Sequence, residues 1–159
     1  MSSALVTLFV VLLGIIGRAE DRPHYDACEL TGRLRDTAQT SFVVRIQSSP
    51  FATNTTVAIS RWWGRDGSNP ERVTARLSLC VGGREVGIPL RAFADLGEPN
   101  IPDGISLTQQ ADDLLLYVRG GDAGGSYIAK FTVHGGKLTR REVVPGEFPE
   151  FKPQIMRFD

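Results

Sequence analysis

The stretch "RVTARLSLCVGGREVGIPL", residues 72–90, decides the fold class. Its first half alternates with a period of two, as a strand with one buried face does. One face carries Val73, Ala75, Leu77 and Leu79, and the other carries Thr74, Arg76, Ser78 and Cys80. Because one face is polar, the pattern favours an antiparallel sheet over a buried parallel one. Gly82-Gly83 then separates two strand-like runs, which predicts a two-residue hairpin turn.

The same kind of strand-like run recurs on both sides of this hairpin. The runs are residues 41–49, 55–63, 105–110, 113–119, 126–133 and 137–144. The one helical candidate is Pro89 to Leu96, where proline suits the first helical position and Gly97 the cap. The sequence therefore predicts a mainly β protein: a single antiparallel β-rich domain, sandwich or barrel-like, with one short helix.

The C-terminal tail, about residues 145–159, contains three prolines and three phenylalanines. Proline disfavours helix at its own position and at the preceding one, so we predict an extended tail. Whether the tail packs on its own domain is left open by the sequence.

The N-terminus reads as a secretory signal peptide. Residues 4–16 are almost wholly apolar, and as a helix they would rise about 20 Å, less than the roughly 30 Å of a membrane core. Gly17 and Ala19 then occupy the −3 and −1 positions of a cleavage site. We predict a signal peptide over residues 1–19 and a secreted or periplasmic domain over residues 20–159, with no membrane span after cleavage. An uncleaved anchor is the alternative.

Charge and cysteine content limit which partners and which redox chemistry are expected. The chain has 18 basic and 18 acidic side chains, and no polybasic stripe stands out, so nucleic acid is not an expected partner. The two cysteines, Cys28 and Cys80, predict one disulfide in an oxidising compartment. Two free thiols, or a metal pair, are the alternative.

The residues do not predict catalysis. Any triad must use His24 or His134, and Ser126 lies eight residues from His134 on one strand, about 26 Å away. No G-x-S-x-G motif occurs. An enzyme that uses carboxylates alone, such as Asp112 or Asp113 with Glu85, remains a minor alternative.

Metal and cofactor sites are not predicted either. The stretch "RDGSNPER", residues 65–72, offers Asp66, Asn69 and Glu71, and its two carboxylates fall short of the oxygen ligands that calcium requires. An Asp-Gly turn is the simpler interpretation. We predict no metal and no cofactor.

A glycine-rich loop in "RGGDAGGSYIAKF", residues 119–131, is the first candidate binding element. A strand-like run follows it, so the helix N-terminus that a phosphate loop requires is missing. Its simplest role is to connect two strands. Alternatively, it presents Asp122, Ser126 and Tyr127 to a partner.

The loop is similar to the Ser-Gly-x-x-Tyr loop of bacterial periplasmic lysozyme inhibitors, which are small secreted β domains. Tyr127 matches the tyrosine of that motif, whereas the motif's serine has no counterpart, and the similarity covers fewer than ten residues. It implies a protein inhibitor that inserts Tyr127 into an envelope-degrading hydrolase.

A tryptophan pair in "SRWWGRDG", residues 60–67, is the second candidate. Strand parity places Trp62 and Trp63 on opposite faces, so one is expected in the core and the other on the wetter face. Trp62, flanked by Arg61 and Arg65, is suited to stacking on a sugar or another planar group. The alternative is that a loop or the C-terminal tail covers it.

Together these features predict a secreted or periplasmic, non-catalytic binding domain. Its ligand is a protein or carbohydrate of the cell envelope whose identity the sequence does not give. The inhibitor implied by the Tyr127 loop is the alternative.

Overall fold

The computed structural model describes residues 9–11, 26–52, 59, 61–66 and 69–159. Ten strands in this part of the chain form two five-stranded antiparallel sheets, and the chain is 55% strand and 5% helix. The predicted mainly β, antiparallel class is confirmed.

The first sheet is a meander in which each strand pairs with the next along the chain. Its strands are β1 (Phe9–Val11), β2 (Ala27–Arg33), β3 (Ser41–Pro50), β4 (Arg72–Val81) and β5 (Arg84–Val86), in this order across the sheet. Gly82 and Gly83 join β4 to β5 with φ of 55° and 77°, a conformation that glycine adopts without strain. The hairpin predicted from residues 72–90 is therefore present.

The second sheet is also a meander. Its strands are β6 (Ile105–Gln110), β7 (Asp113–Gly120), β8 (Tyr127–His134), β9 (Lys137–Pro145) and β10 (Gln154–Arg157). The four runs predicted over residues 105–144 match β6 to β9 to within one residue at each end. The tail contributes β10, which pairs with β9, and Phe158 packs against the core.

One hydrophobic core contains buried residues of both sheets. Val44 and Leu79 of the first sheet and Leu116, Val118 and Phe131 of the second are wholly buried in the same cluster. The two sheets therefore share one hydrophobic core.

Residues 95–100 connect the two sheets through backbone hydrogen bonds. The Thr74 N–H of β4 donates to the Leu96 carbonyl at 2.9 Å, and the Gly121 N–H, just after β7, donates to the Glu98 carbonyl at 2.8 Å. This connection brings the start of β4 beside the end of β7.

The tryptophan segment and the glycine loop attach to the same place. Trp63 donates its N–H to the Asp95 carbonyl at 2.9 Å and accepts from the Gly97 N–H at 2.8 Å. The Gly64 N–H donates to the Gly125 carbonyl at 3.1 Å. We call residues 63–66, 95–100 and 120–126 together the junction.

The predicted disulfide is wrong, because both cysteines are free. Strand β3 lies between them: Cys28 of β2 is opposite Ile46, whereas Cys80 of β4 is opposite Val43. Two strand spacings and a three-residue offset exceed the roughly 7 Å limit between bridged Cα atoms. The cysteines also belong to opposite faces of the sheet, since Ile46 is buried in the core and Val43 is on the other face.

The predicted two-turn helix is shorter than expected. A single 3₁₀ turn spans Leu90–Ala92 with Pro89 at its N-terminal boundary, and it ends at Phe93, whose φ is −141°. The chain leaves the helix there because Asp95 and Gly97 pair with Trp63 instead.

Two predictions fall mostly outside the described residues. The strand over 55–63 has Ile59 and 61–63 described, and of these only Trp63 makes a β-bridge, to Leu96. Of the signal peptide, only Phe9–Val11 is described, and its export role stays a prediction. No helix in the described ranges is long and apolar enough to cross a membrane.

Candidate binding cleft

A cleft of about 680 Å³ opens between the tryptophan segment and the glycine-rich loop. Its lining comes from two stretches of chain that lie about sixty residues apart in the sequence and meet at the junction, together with Pro145 at the end of β9. The lining residues are Ile59, Arg61, Trp62, Trp63, Gly64, Arg65, Asp66, Asn69, Gly124, Gly125, Ser126 and Pro145.

Glycines hold the two walls at backbone contact. A Cβ on Gly121 would lie 2.7 Å from the Gly125 carbonyl oxygen and 2.8 Å from the Gly64 Cα, and a Cβ on Gly125 would lie 2.9 Å from the Arg65 Cα. Real Cβ atoms essentially never approach other atoms this closely. The glycines therefore fit two backbones together, and side chains at these positions would force them apart.

Gly124 is the exception in the loop. It lines the cleft, is exposed, and a Cβ there would meet only Asp66 Oδ2, at 3.9 Å. The tip of the loop therefore has room for a side chain or for a ligand.

One tryptophan is buried and the other is partly exposed, as the alternation of side chains along a strand predicts. Trp63 is 7% exposed, and its indole Nε1–H donates to Gln154 Oε1 of β10 at 3.0 Å. Trp62 is half-buried, lines the cleft, and meets the ring of Phe51 edge to face at 5.4 Å. Trp63 thus belongs to the core, and Trp62 is the aromatic side chain with surface to offer a ligand.

The two arginines of the cleft differ in their partners. Arg65 donates from Nη2 to Glu71 Oε1 at 2.5 Å, and its Nε lies 3.9 Å from Glu98 Oε1. Arg61 places its guanidinium carbon 4.7 Å from the Trp63 ring centroid, and no carboxylate among the described residues pairs with it. Arg61 therefore brings an uncompensated positive charge to the cleft.

Tyr127 cannot contact a partner, and this part of the prediction is wrong. Its side chain is 1% exposed at the start of β8, with its ring 6.5 Å from that of Trp63. Burial raises the pKa of its phenol far above the ordinary value, and the nearby Asp95 carboxylate raises it further. Tyr127 points inward because it alternates in phase with Ala129 and Phe131, so the wedge that the inhibitor alternative requires is absent.

A buried ion pair lies in this same region. Arg141 of β9 is 1% exposed and donates from Nη2 to Asp95 Oδ1 at 2.7 Å. The Tyr127 hydroxyl and the Arg141 Nε are buried without a hydrogen-bond partner in the described structure. The Arg141–Asp95 pair ties β9 to the segment that holds the tryptophan wall.

The predicted binding residues are thus partly brought together. Arg61, Trp62, Arg65 and Ser126 line the cleft. Asp122 is exposed at the base of the 3₁₀ turn Ala123–Gly125 and is not among the lining residues.

Sequence reasoning missed two polar members of the site. Asp66 and Asn69 were considered only as metal ligands, yet both are exposed and line the cleft. Their place in the sequence, directly after the tryptophan pair, was the one available signal. In the part of the chain that the structure describes, no three His, Cys, Asp or Glu side chains are grouped to hold a metal ion.

The residues considered for catalysis lie elsewhere. His134 Nδ1 is 2.7 Å from Asp113 Oδ1, and both side chains are exposed where β7 begins and β8 ends, beside the turns to β6 and β9, which we call the hairpin end. Ser126 precedes the opposite end of β8. The histidine and the serine are therefore separated by the length of the strand.

Comparisons of the chain with protein-family models, with curated proteins and with solved structures each find no match.

Proposed function

We propose that this chain is an exported, non-catalytic binding domain of the cell envelope or extracellular space, and that the cleft at the junction is its binding site. The observation that carries the proposal is the meeting of the tryptophan segment and the glycine loop around one cleft of about 680 Å³. This volume lies within the range of about 300 to 1,000 Å³ that is usual for ligand sites.

The composition of the cleft supports binding. It combines a half-buried tryptophan with an asparagine, a serine, and an arginine and an aspartate that make no ion pair with any described residue. Aromatic surface with a few polar groups is typical of sites that hold a ligand in one orientation.

The close glycine contacts support a preformed site. Because the two walls touch at backbone level, binding does not need to order them, and less conformational entropy is lost. No observation favours the inhibitor alternative, since the tyrosine on which it depends is buried.

A variant that fills the cleft tests the proposal. Gly124→Trp adds a large side chain to the cleft lining at a glycine whose Cβ would meet no backbone within 4 Å, whereas Gly87→Trp adds the same side chain at an exposed glycine whose Cβ would meet nothing within 4 Å. Neither glycine has a positive φ. We expect wild type and the Gly87 variant to capture the same envelope component, and the Gly124 variant to lose at least nine-tenths of it.

Equal capture by the two variants would contradict the cleft as the binding site. Export is tested separately by the mass of the protein recovered from the periplasm or medium. Cleavage after Ala19 predicts a chain that begins at Glu20, and a full-length chain retained in the membrane fraction would favour the uncleaved anchor.

A further inference from the structure

We propose that the ligand of the cleft is an acidic saccharide, with a single sugar carboxylate bound by Arg61 and the adjoining sugar ring placed against Trp62. This inference rests on the proposed binding function of the cleft and specifies its ligand.

The guanidinium of Arg61 has N–H groups available for an anion. Its guanidinium lies over the face of Trp63, 4.7 Å from the ring centroid. A guanidinium stacked in this way keeps the N–H donors at its edge free, and those donors match the two oxygens of a carboxylate.

Trp63 holds this arginine in place. Trp63 is fixed by its two backbone hydrogen bonds within the junction and by the bond from its indole to Gln154. A cation that rests on a buried, hydrogen-bonded ring loses little freedom when it binds an anion.

Arg65, unlike Arg61, already has acidic partners. Glu71 and Glu98 already compensate the charge of Arg65. Among the described residues that line the cleft, Arg61 is therefore the cation without an acidic partner, and one cation fits one isolated carboxylate.

Asp66 excludes densely charged ligands. It is exposed in the cleft and makes no ion pair with a described residue. A second anionic group beside it would be repelled, whereas a hydroxyl would donate a hydrogen bond to it. Ligands with one carboxylate and many hydroxyls are thereby favoured over sulfated or phosphorylated chains.

The remaining lining favours a sugar over a peptide carboxylate. Trp62 supplies an apolar aromatic surface of the kind that stacks on a pyranose ring. Asn69 and Ser126 provide amide and hydroxyl groups that both donate and accept, as sugar hydroxyls require.

Calorimetry with matched ligands tests the inference. The protein, purified after expression of the full chain, is titrated with a disaccharide that carries one glucuronate and with its methyl ester, which removes only the charge. A sulfated heparin tetrasaccharide and a tripeptide with a free C-terminal carboxylate represent the other anions. We expect the glucuronate disaccharide to bind at least tenfold more tightly than each of the other three.

Two arginine variants test whether Arg61 causes the preference for the acid over its methyl ester. Arg61→Gln should bind the acid and its ester alike, because the charge partner is gone. Arg91→Gln is the matched control, since Arg91 also stacks on an aromatic ring, Phe158, at 5.2 Å, but lies outside the cleft. It should keep the tenfold preference for the acid.

The outcomes separate the two proposals. Equal affinity for acid and ester, tighter binding of the tripeptide or the sulfated chain, or no saccharide binding overturns the acidic-saccharide inference. If envelope capture still depends on Gly124 in those cases, the binding function of the cleft stands. If the Gly124 and Gly87 variants capture equally, the proposed function itself fails.

Discussion

The glycine-rich hairpin turns and the glycine-rich loop of the junction look alike in sequence and differ in structure. At Gly83, Gly135 and Gly136 an added Cβ would meet nothing within 4 Å, and the glycines are needed only for their positive φ. At Gly121 and Gly125 a Cβ would collide with the backbone of the facing segment. Glycines are therefore required at these places for different physical reasons. In the hairpin turns they allow the positive φ of the turn, and in the junction loop they allow two backbones to come into contact.

The hairpin end and the junction also differ in how deeply their ion pairs are buried. The Asp113–His134 pair at the hairpin end is exposed, whereas the Arg141–Asp95 pair joins the junction to β9 with its arginine fully buried. The junction should therefore respond strongly to substitution and the hairpin end weakly.

The largest expected effect comes from Asp95→Asn, which leaves Arg141 buried without a counter-charge. Removing one partner of a buried ion pair costs about 3 to 5 kcal/mol of unfolding free energy. Urea unfolding at pH 7 measures it. Asp113→Asn, at an equally short but exposed pair, should cost about 1 kcal/mol or less.

The double variant Asp95→Asn with Arg141→Met removes both charges and should recover part of the loss. If Asp95→Asn costs no more than Asp113→Asn, the buried pair does not stabilise the junction.

Gly121→Ala should have the next largest effect, about 2 to 4 kcal/mol of destabilisation. The residue has φ of +70°, which costs alanine about 1 to 2 kcal/mol, and its Cβ overlaps the facing backbone. Gly136→Ala, at φ of +77° in open space, should lose only the conformational part. Equal losses in urea unfolding would show that the close contact carries no energy.

Alkaline pH should destabilise the junction through Tyr127. The folded state keeps this phenol protonated because burial raises its pKa, whereas the unfolded chain releases the proton near pH 10. Stability is therefore unaffected at neutral pH and falls as pH rises above about 10, by up to about 1.4 kcal/mol per pH unit.

In Tyr127→Phe, the unfolding free energy should not show the part of its fall above about pH 10 that the phenol causes. Its stability at pH 7 should stay within about 1 kcal/mol of wild type, because the hydroxyl that it loses has no partner. Parallel pH profiles for the two proteins would contradict a buried, protonated phenol.

The smallest effect is expected at Gly124, the junction glycine that resembles the hairpin glycines in having open space. Gly124→Ala and Gly87→Ala should each change the unfolding free energy by less than about 0.5 kcal/mol. A large loss at Gly124 alone would mean that the whole loop, and not only its base, is packed.

Period-two alternation was sufficient to predict most of the second sheet. Strands β7 and β8 alternate buried and less buried residues almost without interruption, so their pattern is visible in the sequence. The hairpin of β4 and β5 was predicted for the same reason.

Strand bulges explain why the sequence pattern assigned some residues to the wrong face of the sheet. Between Gln47 and Ser48 the pairing of β3 with β4 shifts by one residue, so that Thr74 is buried beside Leu77, while Ala75 is exposed. A similar shift next to Thr132 helps to place Arg141 in the core. Nothing in the alternation of a single strand indicates such a shift, because it depends on the partner strand.

The cysteine pairing and the cleft required knowledge of non-local contacts. The sequence did not reveal the strand β2, so it gave no reason to place β3 between Cys28 and Cys80. Likewise, the tryptophan segment and the glycine loop were each selected as binding elements, but their meeting depends on residues 95–100, whose backbone bonds to both were not predictable.

The glycine contacts at the junction have a consequence for how this protein changes over generations. Gly64, Gly97, Gly121 and Gly125 each face backbone or a neighbouring ring that leaves no space for a methyl group. Substitution at any one of them would separate segments from distant parts of the chain. Trp63-Gly64, Gly97 and Gly120-Gly121-x-x-x-Gly125 therefore form a signature that descent should preserve, and by which distant relatives can be recognised after overall identity has faded.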